Sequence, residues 1–240
     1  MAQKNMFKML TVIGTFAIAM GLLESAVVIY LRALMYPNGF SFPLESLNWG
    51  LGIVEISREL ATLIMLGIVG YLAGHNRITR LAYFLFSFAI WDIFYYVFLK
   101  IFLNWPESIF TWDVLFLIPV MWVGPVWTPL LLASTMIVLA IFLIKINSKG
   151  QIPLGWNLLP MILGTLVCIL SFCLDPMQFL NAQSNHKWYH FDALFNMEYI
   201  PSNFPLGIFL IGFAAITFGI FRYVYNNSFS HRKVLKGQML

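Results

Sequence analysis

The chain has 240 residues, 60% of them hydrophobic and only 10% charged, with a mean hydropathy of +0.82. A soluble domain carries about 25% charged residues, so the composition argues against a soluble fold and for one polytopic, all-α membrane domain spanning residues 1–240. The net charge of +4 is too small to suggest nucleic acid as a partner. The lipid bilayer is the expected partner, and the placement of the basic residues carries topology.

The N-terminal MAQKNMFKML places Lys4 and Lys8 before an apolar run. That run continues past Ala19 to about Met35, well beyond the roughly 7–15 residues of a signal-peptide core. Residues 9–35 are therefore expected to form an uncleaved first span, ended by Pro37, Gly39 and Pro43. The second expected span is 49–73 and the third is 81–103, separated by the basic loop GHNRITR. The next apolar stretch, from Asp113 to Ile146, would be about 50 Å long as one helix, against a hydrocarbon core of about 30 Å. Pro119, Gly124, Pro125 and Pro129 lie in its first half. The expected solution is an irregular or half-helical lead-in over 113–123 followed by a span over 126–145. One long, kinked helix is the alternative. The fifth and sixth spans are expected over 157–174 and 204–225, with a polar loop from Asp175 to Asn203 between them and a basic tail after them.

Six spans put both termini on one side. Lys4, Lys8, Arg77, Arg80, Lys145, Lys149, Arg222, Arg232, Lys233 and Lys236 then fall on that side, and Lys100 and Lys187 on the other. By the positive-inside rule the termini are cytoplasmic. The expected location is a cell membrane, with the bacterial inner membrane as its expected type. Gly70 with Gly74, and Ala215 with Gly219, have the spacing that permits close helix packing.

The remaining charges lie inside or near spans. Glu24 sits about 18 Å below the outer end of the first span, at 1.5 Å per residue. Arg32 is near that end. Glu55, Arg58 and Glu59 fall in the outer half of the second span, and Asp92 near the middle of the third. Glu55, Glu59 and Thr62 follow the i, i+4, i+7 pattern of one helix face, and Arg58 can pair with Glu55 three residues away. Asp92 shares a face with Tyr95 and Tyr96. A charge in hydrocarbon costs at least about 2.5–3.5 kcal/mol, so these side chains are expected to meet inside the bundle. Glu24, Arg32, Glu55, Arg58, Glu59, Asp92, Tyr95 and Tyr96 are the candidate ligand, proton or ion site. Arg32 and Arg58 are expected to neutralise part of Glu24, Glu55, Glu59 and Asp92. Glu55 and Arg32 are close enough to the interface to snorkel. Four acids against two arginines leave an excess that calls for bound protons, a cation or water. A network that only locks helices is the competing account.

No expected span contains a histidine, which argues against haem or a histidine-rich diiron site, and no cofactor is expected. His186 and His190, with Asp192 beyond, are weak metal-ligand candidates in the outer loop. Cys168 and Cys173 are five apart in an apolar run, neither a CxxC pair nor a metal clip, and are expected to be buried structural residues. There is no GxSxG, HExxH or P-loop pattern. The EISRE run of residues 55–59 resembles the glutamate–arginine signature of membrane-embedded CAAX-type proteases, but the paired glutamates and downstream intramembrane histidines of that signature are missing, and no residue role carries over. Three functions remain. One is a small transporter or binding protein for protons, cations or a small polar solute. The second is a non-catalytic subunit of a membrane complex or homo-oligomer. The third is a membrane enzyme acting on a lipid or quinone.

Overall fold

The computed structural model describes residues 2–36, 39–45, 48–118, 120–147, 154–183 and 199–237. Six long helices account for most of them. They are α1 (Ala2–Met35), α2 (Trp49–Ala73), α3 (Arg77–Leu103), α4 (Trp127–Asn147), α5 (Leu158–Gln183) and α6 (Leu206–Gly237). All but α2 are long and apolar enough to cross a membrane, which makes this a helical, multi-pass membrane protein.

The helix ends follow local chemistry. The Asn48 side chain accepts the Leu51 N–H at 2.9 Å and starts α2. Asn76 and Thr79 form a reciprocal capping box at the start of α3, with Ile78 N and Thr79 N donating to Asn76 Oδ1 at 3.0 and 2.9 Å. Asn104 ends α3 in the left-handed conformation (φ 52°), which asparagine tolerates better than most side chains.

Between α3 and α4 the chain forms neither a half-helix nor the start of one long helix. Strands β1 (Trp112–Phe116) and β2 (Trp122–Pro125) pair antiparallel, with Asp113 opposite Gly124 and Val114 opposite Val123. The register shifts between Val114 and Phe116. The half-helical form of the lead-in, and the one long helix, are thereby corrected. The physical reason lies in the residues: WDVLF and WVGP are aromatic- and valine-rich, Pro125 closes β2, and Pro129 sits in the first turn of α4, where its missing N–H breaks no helix bond. At the base, Val126 N donates to Thr111 O at 3.0 Å and Trp127 N to Ile109 O at 2.8 Å, which ties the hairpin to α4.

The helices pack in two groups. α3 runs against α1, α2 and α4, while α5 pairs with α6. Close approach uses glycine. A Cβ on Gly21 would stand 3.0 Å from Trp91 O, so α1 and α3 touch backbone to backbone there. Ser25 Oγ, which bonds Gly21 O at 2.6 Å, lies 3.2 Å from Tyr95 O in the same contact. On the other side Gly164 and Gly212 face each other, and a Cβ on Gly212 would lie 2.7 Å from Gly164 O. α5 meets the hairpin through Phe172, whose ring stacks on Trp122 with centroids 6.2 Å apart.

α2 is polar inside and apolar outside. Glu55, Glu59 and Thr62 are buried, while Ile53, Val54, Leu60, Ile64, Ile68 and Leu72 are exposed. α5 continues past its expected end, through Pro176 to Gln183. Asp175, expected in a polar loop, therefore lies in the helix. It accepts hydrogen bonds from Tyr199 Oη, from Ser202 N at 3.1 Å and from Ser202 Oγ at 2.6 Å. Burial and the Asp175 carboxylate both push the Tyr199 phenol upward in pKa. Cys168 and Cys173 are buried and free.

Candidate functional site

Glu24, Arg32, Glu55, Arg58, Glu59, Asp92, Tyr95 and Tyr96 all line one cavity of about 460 Å³. They sit on the half of the bundle that contains the C-terminal end of α1, the N-terminal end of α2 and the hairpin. Within that wall they separate into three arrangements.

The first is centred on Arg58. Its Nε and Nη2 donate to Glu55 Oε2 at 3.0 and 2.7 Å, the i, i+3 pairing expected on α2. Its Nη1 pairs with Glu24 Oε1 on α1. Thr62, one more turn along α2, donates to Glu24 Oε2 at 3.1 Å. Glu24 and Glu55 are both buried, and one guanidinium answers both.

The second is centred on Asp113, at the start of the hairpin. Arg32 Nη2 donates to Asp113 Oδ1 at 3.2 Å, and Tyr96 Oη donates to Asp113 Oδ2 at 3.1 Å. The Arg32 guanidinium lies between the rings of Phe40 and Trp105, 4.1 and 3.8 Å from their centroids. One expectation is corrected here. Arg32 is buried, but its partner is Asp113 rather than Glu24, Glu55, Glu59 or Asp92. Arg32 stands eight residues beyond Glu24 on α1, a rise of about 12 Å. At that level the hairpin base supplies the carboxylate, and the aromatic loops at the helix ends supply the cation–π faces.

The third is Glu59. Both of its carboxylate oxygens accept the Leu117 N–H, at 3.1 and 3.0 Å. Glu59 lies ten residues into α2, about 15 Å from its start. Leu117 follows β1, so the far end of the hairpin reaches that depth. Non-helical backbone at membrane depth is tolerated only where protein or a water-filled cavity covers it, because an unsatisfied N–H in hydrocarbon costs several kcal/mol. Glu59 satisfies the Leu117 N–H on the cavity wall.

Asp92 differs from all of these. It lines the cavity from α3, yet among the described residues no hydrogen bond or ion pair reaches its carboxylate. Both arginines are engaged elsewhere. Six carboxylates line the cavity with two arginines; Glu45 is exposed at its edge, and of the other five Asp92 is the one left over.

Sequence reasoning found the polar positions on α1, α2 and α3 but left two partners out of the candidate set. Asp113 had a signal, since it sits at the foot of a proline-rich segment on the same side as Arg32. The Leu117 N–H had none, because a backbone donor is invisible until the hairpin is placed. His186, His190 and Asp192 lie outside the described residues. Among the described residues no group of three or more histidines, cysteines or carboxylates is arranged to hold a metal ion.

Fold and site thus define the class, a multi-pass helical membrane protein with a charged internal cavity. Comparison of the chain with protein-family models, with curated proteins and with solved structures finds no match.

Proposed function

We propose that this protein binds a small ligand in the cavity between α1–α3, the hairpin and α4–α6, as a transporter or a membrane-embedded binding protein. The observation that supports this reading is Asp92, a carboxylate on the cavity wall without a partner, beside Glu24, Glu55, Glu59 and Asp113, each of which is answered. A role confined to locking helices accounts for the Glu24–Arg58–Glu55 and Arg32–Asp113–Tyr96 groups. It leaves Asp92 and the space in front of it without a purpose. An uncompensated carboxylate inside a membrane protein is costly, and a ligand that brings a positive charge or a hydrogen-bond donor recovers that cost. The cavity's volume falls within the roughly 300–1,000 Å³ of small-molecule sites.

The reading includes six spans with both termini cytoplasmic. Support for α2 as the sixth comes from its inverted amphipathicity, with its charges turned inward and its apolar residues outward, as a lipid-facing helix requires. The ligand site then lies in the outer half of the membrane. In a variant lacking Cys168 and Cys173, a cysteine at exposed Glu107 is expected to react with an impermeant maleimide from outside intact cells, and one at exposed His75 only after permeabilisation. The opposite pattern inverts the topology and moves the site to the inner half.

The binding reading is tested by comparing Asp92→Asn, Glu59→Gln and Arg58→Gln in a mild detergent, with native mass spectrometry for a co-purifying molecule and thermal unfolding for stability. Asp92→Asn is expected to lose the bound molecule at unchanged stability, and Arg58→Gln to lose the fold. If all three lose folding to the same degree, the carboxylates serve structure alone and the proposal falls.

A further inference from the structure

The cavity changes character along its length. At one end stand Glu24, Arg58, Glu59 and Asp92. At the other, its wall is Leu85 of α3, Leu139 of α4, Met161 of α5, and Ile216 and Ile220 of α6. Along α3 the wall runs from Leu85 to Tyr96, a rise of about 16 Å. The charges cluster towards Tyr96 and hydrocarbon towards Leu85.

A second opening of about 320 Å³ lies between α4 and α6, lined by Ser134, Thr135, Val138, Thr217, Ile220 and Phe221. Thr135 and Ile220 line both spaces. α4 packs on α3 and α6 packs on α5, and the two helices meet only sparsely. Asn147 Nδ2, 3.3 Å from Tyr223 Oη, ties them near the last turn of α4. The cleft opens before that tie. Its hydroxyl groups are turned back on their own helices: Ser134 bonds Leu130 O at 2.8 Å, Thr135 bonds Leu131 O at 2.9 Å and Thr217 bonds Phe213 O at 3.0 Å. The cleft therefore meets the bilayer as an apolar surface, despite three hydroxyl residues in its wall.

We propose that the ligand is a single-chain amphiphile with a protonated amine head, whose alkyl chain enters sideways from the bilayer between α4 and α6. This rests on the binding reading above and names its ligand class. The head is cationic because of what is left unpaired at the polar end. Arg32 already holds Asp113 through Nη2 and lies against Phe40 and Trp105, and Arg58 is shared by Glu24 and Glu55, so the acids at this end outnumber the two arginines and the balance is negative. Asp92 is free for an ammonium group. The tail is an alkyl chain because the far end of the wall is aliphatic, with the Thr135 and Thr165 hydroxyls turned back onto Leu131 O and Met161 O, and because that wall shares Thr135 and Ile220 with a cleft open to lipid.

The test uses a diazirine-bearing dodecylamine, photoactivated with the full chain in phosphatidylcholine nanodiscs, and maps the labelled peptides by mass spectrometry. Saturable labelling of the segments around Leu139, Ile216 and Ile220 is expected. Dodecylamine should compete at about one-tenth the concentration of dodecanol or dodecyl phosphate, the order expected for one charge-assisted contact. Asp92→Asn should erase that tenfold preference while the protein still unfolds at the wild-type temperature. Val138→Trp, at the exposed lip of the cleft, should slow labelling several-fold without changing the level at saturation.

Labelling spread over the lipid-facing side of α2, or labelling that never saturates, overturns the tail site. Equal competition by dodecanol or dodecyl phosphate overturns the amine head. If ethylamine competes as well as dodecylamine, the amphiphile falls while binding of a small polar solute stands. If no probe, ethylamine included, distinguishes wild type from Asp92→Asn, both readings fall.

Discussion

The two sides of the cavity are built on different physical terms. The α1–α3 side is held by charge: three acids and two arginines form ion pairs, one between α1 and α2, one within α2 and one from α1 to the hairpin, and a fourth acid, Glu59, accepts from the hairpin backbone. The α4–α6 side is held by shape: Gly164 against Gly212, Phe172 against Trp122 and a set of aliphatic side chains. The charged side is closed by its own partners except at Asp92. The apolar side is closed between α5 and α6 but left open between α4 and α6. A membrane protein thus carries polar fixation where backbone and carboxylates must be satisfied, and leaves looseness where only hydrocarbon is at stake.

This contrast can be broken on either side. The largest effect is expected from Arg58→Gln, which leaves Glu24 and Glu55 buried without their cation. Removing one member of a buried ion pair costs about 3–5 kcal/mol, and the loss should appear as a large drop in thermal midpoint or in folded yield. On the apolar side the same kind of failure needs volume rather than charge. Gly212→Val puts a side chain where Gly164 O already stands, and about 1–3 kcal/mol or more is expected from such overpacking, measured as stability in detergent. If Gly212→Val is neutral, α5 and α6 are not in backbone contact.

Smaller effects sharpen the comparison. Glu59→Leu leaves the Leu117 N–H unsatisfied and is expected to cost about 1–3 kcal/mol. Glu59→Gln keeps an acceptor oxygen and should cost well under half as much. Equal losses for the two substitutions would show that the charge of Glu59, rather than its hydrogen bond to the hairpin, is what matters. The smallest effect on stability is expected from Asp92→Asn. No partner is lost there, so the thermal midpoint should stay within error of wild type or rise. A clear destabilisation would place Asp92 among the structural pairs and remove the distinction on which the ligand reading rests.

Much of the polar wall was legible because a charge in an apolar run is informative by its cost. The i, i+4, i+7 stripe of Glu55, Glu59 and Thr62 needed only helical periodicity, as did the Arg58–Glu55 pair. Arg32 was misassigned because helix geometry gives its height and angle but not which loop arrives opposite it. The lead-in before α4 was recognised as irregular from its prolines. Its strand pairing was not, since pairing depends on a partner strand and on a covering surface that only the assembled bundle provides. Asp175 was placed in a loop because a polar stretch opens with it, yet α5 runs on through Pro176.

The sequence by itself determined the multi-pass membrane class and where the long apolar helices fall, because hydropathy and chain length are local properties. It also determined that the charges of α1, α2 and α3 belong inside, since the cost of exposing them to lipid is independent of fold. Only the tertiary structure decided which charges are paired. Ion pairing depends on side-chain positions to within an ångström or two, and those depend on helix crossings set at Gly21 and Gly164 and on the hairpin seated between the two helix groups. The structure alone therefore singled out Asp92. It alone also showed the cleft between α4 and α6, because a gap is a property of two surfaces that fail to meet, and no single stretch of sequence records it.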